Sequence, residues 1–146
     1  MLDPNGSRPL ILGNRTTKST GTLAATTVPL FTVATGAVWV TSITGRVTTI
    51  VTVANAYKLQ HNPTLGTTVD ICTTLDIGTT DSVVGEQFSV TLLKADAMVL
   101  GAAATKAPGI ALPIGQIEHV SAGTDGVILW TVTWCPLEQG ATLVAA

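Results

Sequence analysis

The run at residues 30–53, LFTVATGAVWVTSITGRVTTIVTV, constrains what this chain can fold into more than any other stretch. Apolar Phe31, Val33, Val38, Val40, Val47, Ile50 and Val51 recur among Thr, Ser and small residues. A period of two places successive side chains on opposite faces of a strand. Branched Cβ atoms fit a pleated sheet and lose rotamer freedom in a helix, so Thr, Val and Ile favour strand here. Gly36 and Gly45 interrupt the run where a turn or bulge is expected. The stretch therefore predicts three strands joined by tight turns, an antiparallel meander.

The same cadence continues along the chain. Further strands are expected at residues 22–26, 28–33, 56–61, 67–77, 87–93, 110–114, 116–121 and 127–134. A last strand or tail follows at 137–146, and Pro29 suits an edge position or a strand start. Asp125-Gly126 marks a turn of the kind favoured at hairpin tips. Only KADAMVLGAAATKA at 94–107 is ambiguous, because its alanines favour helix while Gly101 costs roughly 1 kcal/mol there. It reads as a strand followed by a small-residue loop. Short strands, frequent turns and no convincing helix indicate an all-β fold, an antiparallel β-sandwich of jelly-roll-like form. Residues 21–146 form that single domain.

Residues 1–20 differ in composition and read as an extended N-terminal arm. Arg8, Arg15 and Lys18 supply three of the seven cations, and only Asp3 opposes them. Between polar flanks lies an apolar island, Leu10, Ile11 and Leu12. Fully extended, such an arm reaches about 66–72 Å. It suits a strap across a neighbouring subunit, with the apolar island as anchor and the cations on an acidic surface. Its removal is expected to leave a folded domain.

Charge is scarce. The 146 residues are 46% hydrophobic and 11% charged, against roughly 25% charged in an average soluble domain. Thr is the commonest residue, so much of the polar surface is neutral hydroxyl. A formal charge of −2 is too weak a field for binding by phosphate neutralisation, and no nucleic-acid partner is expected. Low charge also promotes association. Mean hydropathy is +0.49, yet no window approaches the about 20 apolar residues of a spanning helix, so no membrane partner is expected. The N-terminal residues lack the apolar core of a secretory signal, so the product is expected in the cytoplasm or in a particle assembled there.

No reaction can be read from the residues. His61 and His119 sit in strand-like settings without a visible nucleophile or metal partner and read as structural. Asp76 and Asp81 flank a Gly-Thr loop, but ligands this sparse do not make a calcium loop. Cys72 and Cys135 fit no metal spacing and read as two buried reduced thiols. No catalytic, cofactor or metal residue is assigned, and an enzyme is the least favoured class. Trp130 and Trp134 lie four apart on one strand and share a face. With Trp39 they could form a sugar-stacking platform, but a core or a subunit interface suits them better. The interface candidates are thus Arg8, Leu10, Ile11, Leu12, Arg15, Lys18, Trp130 and Trp134.

Two strand groups, 30–49 continuing through KLQHNPTLGTTVDICTTLDI at 58–77, and the ending GVILWTVTWCPLEQGATLVAA at 126–146, carry a resemblance. Over residues 27–146 the cadence and the W-x-x-x-W-x-P-L-E-x-G-A ending resemble small capsid-associated proteins of tailed bacteriophages, of the head decoration or cement type. The resemblance implies a β-sandwich on the outside of an icosahedral shell, a homotrimer at local symmetry axes, with the major capsid protein as partner. Such proteins bridge neighbouring capsid subunits and are made in the host cytoplasm. A head fibre, tail or baseplate component is the second reading and a carbohydrate-binding module the third.

Overall fold

In the computed structural model, which describes residues 13–90 and 109–146, the alternating pattern resolves into eleven strands and two antiparallel sheets. In chain order they are β1 (Asn14–Ser19), β2 (Thr27–Ala34), β3 (Val38–Thr49), β4 (Ala56–Pro63), β5 (Val69–Asp70) and β6 (Leu75–Asp76). Then come β7 (Gln87–Val90), β8 (Ile110–Leu112), β9 (Gly115–Val120), β10 (Val127–Pro136) and β11 (Thr142–Ala145). Sheet I has the order β1-β10-β3, with β7 and β8 both paired to the far side of β3. Sheet II has the order β11-β2-β9-β4, with β5 and β6 both on β4. Strand β1 pairs with β10 and β2 pairs with β9, while β1 to β4 alternate between the sheets. That wrapping order makes the expected sandwich a jelly roll, with β11 added beside β2.

The core follows from the alternation. Sheet I turns Val40, Ile43, Val47, Ile128, Trp130 and Val132 inward, and sheet II answers with Phe31, Val33, Tyr57, Leu59, Ile117 and Leu143. Each such side chain contributes roughly 1.5–3 kcal/mol on burial.

Local connections differ from the meander. Residues 30–53 give two long strands, β2 and β3, that lie in opposite sheets and do not pair. The chain crosses between sheets at Thr35, which has a φ of 68°. Gly36 follows, where an added Cβ would meet the Glu138 carboxylate at 2.6 Å. Gly45 is no turn residue at all. It lies inside β3 beneath Trp130, and a Cβ there would sit 3.0 Å from the indole ring and 3.1 Å from Ile128. The Asp125-Gly126 turn likewise joins sheet II to sheet I instead of closing a hairpin. Residues 22–26 form no strand. The expected strand at 67–77 breaks into β5 and β6 along β4, because Ile71 and Ile77 both turn into the core while Val69 and Leu75 stay exposed. Segment 94–107 lies outside the described residues, as does the end of the strand expected at 87–93.

The expected arm overlaps the described residues at 13–20, and most of that overlap is sheet. Strand β1 pairs along β10 from Asn14 opposite Trp134 to Ser19 opposite Leu129. The Thr16 hydroxyl accepts from Trp134 Nε1 at 3.0 Å and donates to the Leu143 carbonyl at 2.9 Å, tying sheet I to sheet II. The boundary between arm and domain therefore falls before residue 14, not at residue 20.

A chain starting at Gly13 should keep the fold and the circular dichroism spectrum of the full-length protein. One starting at Gly21 should melt more than about 10 °C lower in circular dichroism, or fail to fold, because it lacks an edge strand. Gly45→Ala should cost about 1–3 kcal/mol in chemical denaturation, as the new methyl presses on a ring that the core holds in place.

Candidate functional site

Alternation that buries Ile128, Trp130, Val132 and Trp134 must send Leu129, Thr131 and Thr133 to the other side of β10. The same holds for Arg15, Thr17 and Ser19 on β1 and for Thr44 and Arg46 on β3. Register aligns these residues into rows across sheet I. Thr17 lies opposite Thr131, Thr131 opposite Thr44, and Thr44 opposite Ser89. On one side runs Arg15–Thr133–Ser42, and on the other Ser19–Leu129–Arg46–Gln87. The Thr17 and Thr131 hydroxyl oxygens lie 3.5 Å apart. None of the five strands of sheet I contains Asp or Glu. Among the described residues, the exposed cations on this face, Arg15 and Arg46, make no ion pair, and the pair present is Lys58–Asp70, at 2.7 Å, on sheet II. Trp39 lies on the same outer face, half-buried, with Gly109 packed so close that a Cβ would come within 2.6 Å of its ring.

The expected interface residues scatter. Arg15 belongs to this outer face. Lys18 points to the other side of β1 and donates to the Ala146 oxygen. Arg8, Leu10, Ile11 and Leu12 lie outside the described residues. Trp130 and Trp134 are core residues, 3% and 7% exposed, so the interface role given to them falls away. Trp130 Nε1 donates to the Tyr57 hydroxyl at 2.8 Å, and its ring lies 6.0 Å from Tyr57 at an interplanar angle of 7°. Tyr57 stacks in turn on His119 at 5.5 Å, and Phe88 on Trp130 at 6.5 Å. Burial pushes the Tyr57 phenol far above its ordinary range, although the Trp130 bond opposes this.

The other polar candidates serve the fold. The ring of His61 lies 3.2 Å from the Pro113 carbonyl through Nε2. His119 is 1% exposed and neither of its ring nitrogens has a hydrogen-bond partner. Burial pulls its pKa down to about 4. The Asp76 carboxylate accepts from the Thr79 hydroxyl and from the backbone N–H groups of Gly78, Asn55 and Thr79, which hold it well below the usual carboxylate range. No group of three or more His, Cys, Asp or Glu side chains able to hold a metal occurs among the described residues. Cys72 and Cys135 are free and half-buried, not fully buried; Cys72 Sγ accepts the Leu59 N–H at 3.3 Å, and burial raises its pKa. A shallow depression of about 480 Å³ between Thr32, Asn62, Pro63, Ile114 and Gln116 has no titratable group in its lining.

The hydroxyl rows escaped sequence reasoning because they depend on register between strands distant in sequence. Their signal was present in the alternate hydroxyls of Thr17 and Ser19 in TTKS and of Thr131 and Thr133 in LWTVTW. No family model, no curated protein and no solved structure matches the chain.

The unpartnered imidazole makes a prediction in acid. Unfolded His119 titrates near 6.5 and folded His119 near 4, so between those values the unfolded chain binds more protons and stability rises with pH. Stability should therefore fall on acidification from pH 6.5 toward 4, by at most roughly 1.4 kcal/mol per pH unit. Urea denaturation across that window should show His119→Leu flattening the slope. The lowered carboxyls of Asp76 and Asp125 act mainly below their ordinary 3.8 and touch only the acid end of this window.

Proposed function

We propose that this chain is a structural virion protein, a decoration or cement protein that docks on the outer surface of an icosahedral phage head and ties major capsid subunits together. It does so as a homo-oligomer, a trimer at local symmetry axes. One observation carries the reading: among the described residues, the outer face of sheet I is a broad hydroxyl-rich surface with two arginines outside any ion pair and no acid on its strands. Protein interfaces are depleted in Lys, Glu and Asp and enriched in Arg. Short Thr and Ser side chains on a hydrogen-bonded sheet have little rotamer entropy to lose on docking. The jelly roll is compatible with this role, since the fold hosts viral capsid domains, but it hosts lectins too and does not decide function. A sugar platform is disfavoured by the burial of Trp130 and Trp134.

Attachment stabilises by linkage, because a protein that binds the assembled shell and not its loose subunits shifts the equilibrium toward the shell. Repetition around a closed lattice adds avidity to contacts that are individually weak. Cosedimentation with expanded shells lacking the protein tests this directly. The double variant Arg15→Glu, Arg46→Glu should bind at least about tenfold more weakly while melting like the parent. Unchanged binding by that variant, or no binding by the parent, would overturn the reading.

A further inference from the structure

The end of the sandwich where β3 leaves sheet I is apolar and solvent-facing. Val51 and Ser82 form an isolated antiparallel bridge with both side chains buried, so their neighbours Ile50 and Val83 face one another on the outside. Ile50, Val53, Val83 and Val84 are 40%, 45%, 49% and 64% exposed. This end is firmly built. Asp125 accepts from the Thr52 N–H at 2.8 Å, the Thr52 hydroxyl at 2.7 Å and the Val53 N–H at 3.2 Å. Asn55 bonds Ser121 and the Ala122 N–H, and Glu86 accepts from the Val83 N–H at 3.0 Å. These bonds seat the carboxylates of Asp125 and Glu86 beside the apolar group, and Asp81 precedes Ser82 in the chain. Residues 47–53 and 81–86 include no Lys or Arg, and the neighbouring exposed cation, Arg46, lies on the outer face of sheet I.

We infer that this acid-rimmed apolar end is the seat for the N-terminal segment Arg8-Pro9-Leu10-Ile11-Leu12 of a second copy of the chain. The segment complements the seat in both respects, with three consecutive large apolar residues beside a cation. Its occupant cannot be the chain's own segment. Gly13 packs against the Trp134 carbonyl, at the opposite end of β10 from Val127. From Trp134 to Val127 the strand spans about 24 Å, and the seat lies beyond, since Val127 pairs with Thr49. Leu10 is within about 11 Å of Gly13 and Arg8 within about 18 Å, even fully extended. Exchange between copies is thus the one way to bring the two together. Each contact joins two different patches, the arm of one copy and the seat of another, so exchange is either reciprocal within a dimer or head-to-tail around a closed ring. The inference rests on the homo-oligomer proposed above and names its contact.

The test uses full-length chains and reads molar mass by light scattering and sedimentation, without any shell. The parent should self-associate, and the association should weaken as salt screens the Arg8 contact. The arm variant Leu10→Asp, Ile11→Asp and the seat variant Val83→Asp, Val84→Asp should each associate at least about tenfold more weakly. All these seat positions are exposed, so circular dichroism melts should match the parent at concentrations where the parent is dissociated. Mixed in equal amounts, the two variants should form a one-to-one heterodimer, because each retains what the other lacks. A monomeric parent, an arm variant with the parent's mass, or a mixture that stays monomeric would each overturn the exchange. None of these outcomes bears on attachment to a shell, which is read separately.

Discussion

The two sheets are held in register by the hydrogen bond from Trp130 to the Tyr57 hydroxyl and by the ring stack that surrounds it. Four rings, His119, Tyr57, Trp130 and Phe88, run from β9 and β4 in sheet II to β10 and β7 in sheet I. Centroid separations of 5.5 to 6.5 Å are those of offset stacking. Much else is arranged around this column. Gly45 lacks a side chain because the indole occupies that space, and His119 forgoes hydrogen bonds because it serves as a flat ring. The hydroxyl of Tyr57 supplies the acceptor that a buried indole N–H needs, so the column leaves His119 as the described orphan.

A core closed in this way frees both the sheet faces and the sandwich ends for contacts. The edges are defended. Strands β5 and β6 occupy one edge of sheet II as two-residue pieces, and β7 and β8 share the far edge of β3 in sheet I. Short, interrupted edges resist pairing with other chains. On the remaining side β1 and β11 are linked through Thr16 and Lys18. Among the described residues, the hydroxyl-bearing face of sheet I and the apolar end at Ile50 and Val83 are two open surfaces that differ in composition. A rigid block with two unlike patches suits assembly into a lattice.

The period-two pattern carried the fold class, since Val, Ile, Thr and Trp alternate over β3 and β10 with few exceptions. It did not carry connectivity. A glycine such as Gly45 looks the same in sequence whether it makes a turn or makes room for a tryptophan, and only the cross-sheet contact distinguishes them. Residues 67–77 alternate well enough for one strand, yet the need to bury both Ile71 and Ile77 against β4 broke it. The arm was legible in its composition, but Asn14–Ser19 reads as polar and loop-like because an edge strand at the rim of a sandwich buries little. Of the candidate site, Arg15 was found, whereas Arg46 and the hydroxyl rows needed the register of four strands. Trp130 and Trp134 drew attention for the right property, a shared face, but that face is the core.

Attachment to a head lattice has a stoichiometric consequence that no tail, fibre or sugar-binding role shares. Quantitative mass spectrometry of purified particles measures it in one step. The account predicts a copy number that scales with the major capsid protein, as expected for a protein seated at every local symmetry axis. A few copies, or a dozen, would move the protein to a vertex, fibre or tail, and absence from the particle would contradict the virion role altogether.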